Sequence, residues 1–242
     1  MAKERLDVLL VQRGLCPSRE KAQRVIMAGG VFSGGTRLDK ASQQLPADTP
    51  LEVREADRYV GRGGHKLEAA LTHFAIDPSG LVCLDVGAST GGFTDCLLQH
   101  GAARVYALDV GHGQLDWKIR NDPRVVVMEH HNARHLQPGD LPEKADLVVA
   151  DVSFISLTLV LPPAAGVLTD GGVIVALIKP QFELSRAEVG RGGVVRDEAL
   201  RDKAVEKIRG FAAGAGWTWG GVVASPLAGA DGNREFLCLL RP

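Results

Sequence analysis

The 242-residue sequence has no C-x-x-C pair; its four cysteines, Cys16, Cys83, Cys96 and Cys238, are scattered, with no histidine at zinc-ligand spacing. A zinc module and a disulfide framework are thereby excluded, and reduced, mostly buried thiols are expected. No stretch approaches the ~20 uninterrupted apolar residues of a membrane span, and Met1 to Arg13 lacks the apolar core of a signal peptide, so a cytoplasmic location is expected. Internal repeats and low-complexity segments are absent too. The net charge is only −1, but it is unevenly spread: residues 1–66 carry 12 Lys/Arg against 8 Asp/Glu, leaving 16 against 21 for the remainder. The N-terminal end is therefore the better surface for a polyanion.

The stretch that organises the chain is Leu81 to Phe93, LVCLDVGASTGGF. Its first half is apolar and partly β-branched, as a buried parallel strand is, and ends in the carboxylate of Asp85. Its second half is a turn of small residues, Gly87, Ala88, Ser89, Thr90, Gly91 and Gly92, and Thr94 to Gln99 reads as a helix. Strand, glycine-rich turn and helix together let backbone N–H groups approach a ligand closely. The turn is neither the G-x-G-x-x-G of nicotinamide and flavin sites nor a loop ending in Gly-Lys-Ser/Thr. It reads Asp-x-Gly-x-x-x-Gly-Gly, and 22 residues after Gly87 a second apolar strand ends at Asp109, where a carboxylate can accept both hydroxyls of a ribose. This combination resembles the S-adenosylmethionine loop of class I methyltransferases.

Ahead of that loop, Leu6, Leu9 and Leu10 repeat at helical spacing until Gly14. A second helix begins after Ser18, a good N-cap, carries Ala22, Val25 and Ile26, and stops at Gly29-Gly30. Lys21 and Arg24 then point outward. Short β-like pieces, VFSGG, TRLD and LEVRE, follow, and the charged connector READRYVGR places a domain boundary near residue 60, giving domains 1–60 and 61–242. In GRGGHKLEAAL, glycines precede a helix with Lys66 in its first turn, where a cation is mildly disfavoured. From residue 81, strands at Val82–Asp85, Val105–Asp109, Val125–Glu129, Leu147–Asp151 and Val173–Ile178 alternate with helices or loops, the pattern of a doubly wound parallel sheet. After a helix at about Glu198–Ala213, TWGGVVAS and REFLCLL are expected to form an antiparallel hairpin.

A sugar hydroxyl is a poor nucleophile until its proton is shared or removed, so a hydroxyl methylase needs a base and a means of tuning it. Lys66, Asp151, Lys179 and Glu235 satisfy that need if strand ends bring them together. Taken singly each has a plain alternative: Lys66 as a snorkelling surface lysine, Glu235 as a surface strand residue, Asp151 as a helix N-cap. Amino methylation of bases is disfavoured, because the run after the fourth strand is Asp151-Val152-Ser153-Phe154 rather than Asp/Asn-Pro-Pro-aromatic. Carbon-5 methylation of cytosine is disfavoured because no cysteine lies at the cofactor edge. The seven histidines offer no metal set; His112, directly after Asp109, could line the pocket, while Trp117 and Phe182 read as packing residues, Phe182 close enough to Lys179 to border a flipped nucleotide.

Two resemblances extend this reading. The first, RLDVLLVQRGLCPSREKAQRVIMAGGVFSGGTRLDKAS, resembles the alpha-L RNA-binding module named after a small-subunit ribosomal protein, which implies phosphate contacts from Arg5, Arg13, Arg19, Lys21 and Arg24. The order Lys-Asp-Lys-Glu resembles the tetrad of the FtsJ-like ribose 2′-O-methyltransferases. Together with GGHKL, LDVGASTGGFTD, DVGHGQLDWKIRNDPRV, DLVVADVSFISL, LIKPQFE and GNREF, it resembles the TlyA (haemolysin A-like) family of rRNA 2′-O-methyltransferases over almost the whole chain. The resemblance implies a small α+β RNA-binding domain followed by a class I α/β methyltransferase with a mostly parallel seven-stranded sheet. It implies Lys179 as proton acceptor at the 2′-hydroxyl, Lys66 and Glu235 orienting the ribose, and Asp151 near both donor and acceptor. S-adenosylmethionine would be held by Asp85, by Gly87, Ala88, Ser89, Thr90, Gly91, Gly92 and Phe93, by Asp109 at the ribose, by Asn132 and Ala133 at the adenine, and by Asp151. The expected partner is ribosomal RNA or a ribosomal subunit, with no metal and no membrane. The short extensions around the two domains resemble the narrower, large-subunit-specific members, so a cytidine of the large-subunit rRNA is the expected target, with small-subunit rRNA as an additional one. An assembly factor with a vestigial site and a membrane-active haemolysin are the alternatives.

Overall fold

The computed structural model describes residues 3–53, 57–190 and 192–242. The chain divides into two compact units, Met1–Arg58 and Tyr59–Pro242. In the first, β1 (Lys3–Arg5), α1 (Leu6–Gln12), α2 (Arg19–Met27), β2 (Val31–Ser33), β3 (Thr36–Arg37), β4 (Gln44–Pro46) and β5 (Glu52–Val53) follow in order. The two helices pack through Leu6, Leu10, Ala22 and Ile26, all fully buried. Gly14 at φ +68° ends the first helix, and the Ser18 hydroxyl accepts from Lys21 N at 3.2 Å to start the second. The antiparallel pair β1 and β4 carries no alternating apolar signal and was not expected from the sequence. Of the β-like segment LEVRE only Glu52–Val53 is a described strand; Arg54 and Glu55, like part of the connector, lie outside the described residues.

The second unit comprises α3 (Gly63–His73), β6 (Val82–Val86), α4 (Gly92–Gln99), β7 (Arg104–Leu108), α5 (Trp117–Arg120), β8 (Val125–Met128), β9 (Ala145–Ala150), α6 (Leu161–Gly166), β10 (Leu168–Ile178), α7 (Pro180–Glu183), α8 (Glu198–Gly214), β11 (Thr218–Ala224) and β12 (Phe236–Arg241). Seven strands form one sheet in the order β11-β12-β10-β9-β6-β7-β8, parallel except for β12, which runs antiparallel to both its neighbours. Successive residues alternate between two cores: Leu84, Val86, Tyr106 and Val148 face one layer, while Cys83, Val105, Ala107 and Val149 face the other. That two-sided burial is why the strands read as continuous apolar runs. All four cysteines are buried thiols outside any disulfide, and burial pushes those of Cys83 and Cys238 up to about 12.

Several boundaries differ from the sequence reading. Gly63 and Gly64 lie inside α3 rather than before it, because a Cβ at Gly64 would fall 2.2 Å from the Tyr59 ring: the glycine lets the helix lie close to that ring. The helix after the glycine turn starts at Gly92, earlier than Thr94, and β10 starts at Leu168 rather than Val173. Trp117 is not a packing residue: it is 78% exposed.

Candidate active site

In an open parallel sheet, ligands collect beyond the carboxyl ends of the strands where the order reverses, here between β6 and β9. At that point Gly87 adopts φ +87°, and a Cβ there would sit 2.5 Å from the Asp151 carbonyl, so only glycine allows the two chains to approach this closely. The neighbouring Asp151 N donates to Val86 O at 2.9 Å. A cavity of about 460 Å³ opens beside them, lined by Gly87, Ser89, Asp109, Asn132, Ala133 and Asp151 among others, within the range of small-molecule sites. The Asp109 carboxylate accepts from Ser89 N at 2.9 Å through Oδ2 and from Gly111 N at 2.7 Å through Oδ1. Each oxygen keeps a lone pair for a ribose hydroxyl. Asn132 caps the short turn at Ala133–His135 by accepting from Arg134 N at 3.1 Å. Against expectation, His112 stacks on His130 rather than lining the cavity.

Asp85 is fully buried within β6. Its Oδ2 accepts from the Thr94 hydroxyl at 2.6 Å, while Oδ1 has no hydrogen-bond partner among the described residues. Burial raises the carboxyl to about 7, the Thr94 hydrogen bond opposing it, with further upward pressure from the charges of Asp151 and Asp109.

A second depression of about 180 Å³ adjoins the first cavity, lined by the glycine turn from Gly87 to Phe93 together with Gly63, Asp151, Ser153 and Lys179. It shares Gly87, Ser89, Asp151 and Ser153 with the larger cavity. Lys179 directly follows β10, and its Nζ lies 2.6 Å from Asp151 Oδ1 and donates to Ser153 Oγ at 2.9 Å. Because Ile178 pairs with Phe236 across the β10–β12 ladder, Glu235 sits in the next register position from Lys179. The Glu235 carboxylate meets Lys66 Nζ of α3 at 2.5 Å, and the two residues are 3% and 8% exposed. The four residues thus form two lysine–carboxylate pairs at one sheet edge. Lys66, expected to be only mildly out of place, is a buried cation whose cost is offset by Glu235.

Three residues that composition and spacing did not single out support this edge. Glu183 of α7 is buried; its Oε1 accepts from Leu157 N at 2.8 Å and its Oε2 from Ser156 Oγ at 2.6 Å, with Lys207 Nζ 3.0 Å away. It ties α7 to the loop carrying Ser153 and Phe154. Phe154, at φ +63° and 91% exposed, meets Phe182 in a tilted ring contact, with centroids 5.1 Å apart and planes at 49°. Asp95, buried in α4, accepts from Val60 N at 2.9 Å. A carboxylate inside an otherwise apolar helical segment, as in GGFTDCLL, is the signal that could have found it.

In the first unit, Lys21 and Arg24 are exposed, Arg24 in a surface pair with Glu20 at 3.3 Å. Arg13 donates to the carbonyls of Ala47 and Thr49. Arg5 and Arg19 converge on the buried Asp7, at 3.0 Å each.

Comparison with known proteins separates the two units in the same way. An S4 domain model matches residues 4–49, and the FtsJ-like methyltransferase model matches residues 59–241. The 16S/23S rRNA (cytidine-2′-O)-methyltransferase TlyA of Mycobacterium tuberculosis is 49% identical over 99% of this chain and 90% of its own. The chain belongs to the TlyA, haemolysin A-like family. Hemolysin A of Brachyspira hyodysenteriae, another relative, is 43% identical over 96% of this chain and 98% of its own. A solved structure from Streptococcus thermophilus, named there as a hemolysin, superimposes with a TM-score of 0.76 at 46% identity, covering 100% of this chain and 89% of that one. Membership in the FtsJ-like methyltransferases makes S-adenosylmethionine the methyl donor, and the TlyA-type cavity fits it: a space of small-molecule size, a strand-end carboxylate and a glycine cradle with no room for a Cβ.

Proposed function

We infer that this TlyA-family protein methylates the ribose 2′-hydroxyl of a cytidine in ribosomal RNA, with the large-subunit rRNA as the principal substrate and small-subunit rRNA as a second. The observation that carries the reading is the pairing of Lys179 with Asp151 on the wall shared by the two cavities. Bound S-adenosylmethionine supplies an electrophilic methyl group on sulfur. On the acceptor side, Lys179, reacting as the neutral amine, takes the 2′-hydroxyl proton as the oxygen–methyl bond forms and the sulfur–methyl bond breaks. Asp151, 2.6 Å from Nζ, stabilises the ammonium as the proton arrives, and Ser153 holds the amine in place. Glu235 and Lys66 orient the ribose. Asp109 would hold the donor's ribose, Asn132 and Ala133 its adenine, and the Asp85 to Phe93 stretch its methionine end. The first unit docks the RNA, and the reaction belongs in the cytoplasm with the ribosome. No described helix is long and apolar enough to cross a membrane.

Lys179→Ala is expected to lower methyl transfer from labelled S-adenosylmethionine into ribosomal RNA by about 10²- to 10⁴-fold while cofactor affinity stays near wild type. Wild-type turnover in that variant would remove Lys179 from the chemistry. No incorporation by the wild-type protein into naked rRNA or either ribosomal subunit would favour an assembly factor with a vestigial site.

A further inference from the structure

Asp7 is hard to explain as a core residue. It stands in α1 among Leu6, Leu9 and Leu10, with no exposure, in a unit small enough that an apolar side chain there would add to a sparse core. A carboxylate in such a place costs several kcal/mol unless its oxygens are paired. They are all paired: Oδ1 accepts from Arg5 Nε at 3.0 Å, and Oδ2 from an Arg5 terminal nitrogen at 3.0 Å, from Arg19 at 3.0 Å and from Gln23 at 2.8 Å. These hydrogen bonds, Arg5 first, hold the carboxyl far below the usual range.

The pairing leaves the arginines unequal to ordinary surface cations. Arg5 comes from β1 and Arg19 from α2, yet both guanidinium groups are tethered to one anion, Arg5 through two nitrogens and Arg19 through one, with side chains 38% and 56% exposed. Among the described residues the NH1 groups of both have no partner, so each presents an unspent donor edge. Two guanidinium groups drawn together on one anion, the bidentate Arg5 giving up least freedom on binding, match the geometry of a phosphodiester. Arg24, by contrast, leans on an exposed glutamate, a contact worth little.

We propose that Asp7 is a positioning residue that locks Arg5 and Arg19 into one clamp for an RNA phosphodiester. The proposal rests on the first unit being the RNA-docking module. It makes a counterintuitive statement about charge: removing the negative charge of Asp7 weakens RNA binding, whereas simple charge attraction predicts that it strengthens.

The test uses the full chain and a 23S rRNA transcript, with filter binding over a salt series, and S-adenosylmethionine affinity by calorimetry as the control on the second unit. Arg5→Lys and Arg19→Lys keep the charge and leave Asp7 neutralised, so the fold is retained, but they lose the fork. Each is expected to weaken RNA binding about tenfold with an unchanged salt slope, and Asp7→Asn to weaken it similarly. The double variant Arg5→Ala/Arg19→Ala is expected to weaken it further and to reduce the slope by about one for each phosphate no longer neutralised. Wild-type affinity in both lysine variants, with weakening in the alanine variant, would overturn the clamp and leave RNA docking standing. Wild-type affinity in the alanine variant would remove the docking role itself.

Discussion

Breaking the Lys66–Glu235 pair from either side should destabilise the second unit, and breaking it from both sides should not. The contact is 2.5 Å long, with side chains 10% and 3% exposed, so neither charge can be hydrated without local opening. Replacing one partner, by Glu235→Leu or Lys66→Met, strands the other charge at a cost of about 3–5 kcal/mol. For a unit of this size, at ~2–4 °C per kcal/mol, the midpoint should fall by about 6–20 °C. The double variant Lys66→Met/Glu235→Leu replaces the pair with apolar groups of similar volume and should return to within about 2 kcal/mol of wild type, yet without methyl transfer. All three tryptophans, Trp117, Trp217 and Trp219, lie in the second unit, so thermal unfolding followed by intrinsic fluorescence reports that unit selectively. Single variants melting within about 2 °C of wild type would mean that the unpaired side chain reaches solvent, and the buried-pair argument would fail. A double variant as unstable as the singles would assign the loss to packing instead of stranded charge.

Asp85 provides a pH test. Its carboxyl is raised from 3.8 to about 7 in the folded state, so the unfolded chain releases the proton first; the contribution of Asp85 to stability is full below about pH 4 and is lost as pH rises towards 7. The loss should total about 4 kcal/mol by linkage, and Asp85→Asn should flatten it; denaturant unfolding at several pH values measures both, and equal slopes in the two proteins would show that Asp85 is not the group responsible. Gly87→Ala places a Cβ against the Asp151 carbonyl at a left-handed φ, so calorimetry should show S-adenosylmethionine affinity falling by more than tenfold, and an unchanged affinity would show that the β6 and β9 ends need not approach so closely to bind the cofactor.

Much of this molecule is legible in its residues alone. The parallel strands announce themselves because burial on both faces leaves few polar positions, and the Asp-x-Gly-x-x-x-Gly-Gly turn is a local device whose backbone needs are written in its residue types. Helix caps such as Ser18 are local in the same way. The family resemblance added the Lys-Asp-Lys-Glu order and the RNA-docking module. Short pieces such as β1 and β4 were not readable, since three-residue strands are too short to show a periodicity and exist only through each other.

The sequence by itself determined the fold class, the two-unit organisation and which side chains bear charge, because periodicity, turn chemistry and residue type are properties of neighbours along the chain. Only the tertiary structure decided who pairs with whom. Lys66 and Glu235 are 169 residues apart, and nothing local says that they meet at 2.5 Å; the antiparallel insertion of β12 beside β10 does that. The same holds for Asp7, an ordinary first-turn acid by its position in the chain, which becomes the anchor of two arginines only because α2 folds back across α1. Pairing over long separations is set by the packing of whole elements, and for that reason it could not be read residue by residue.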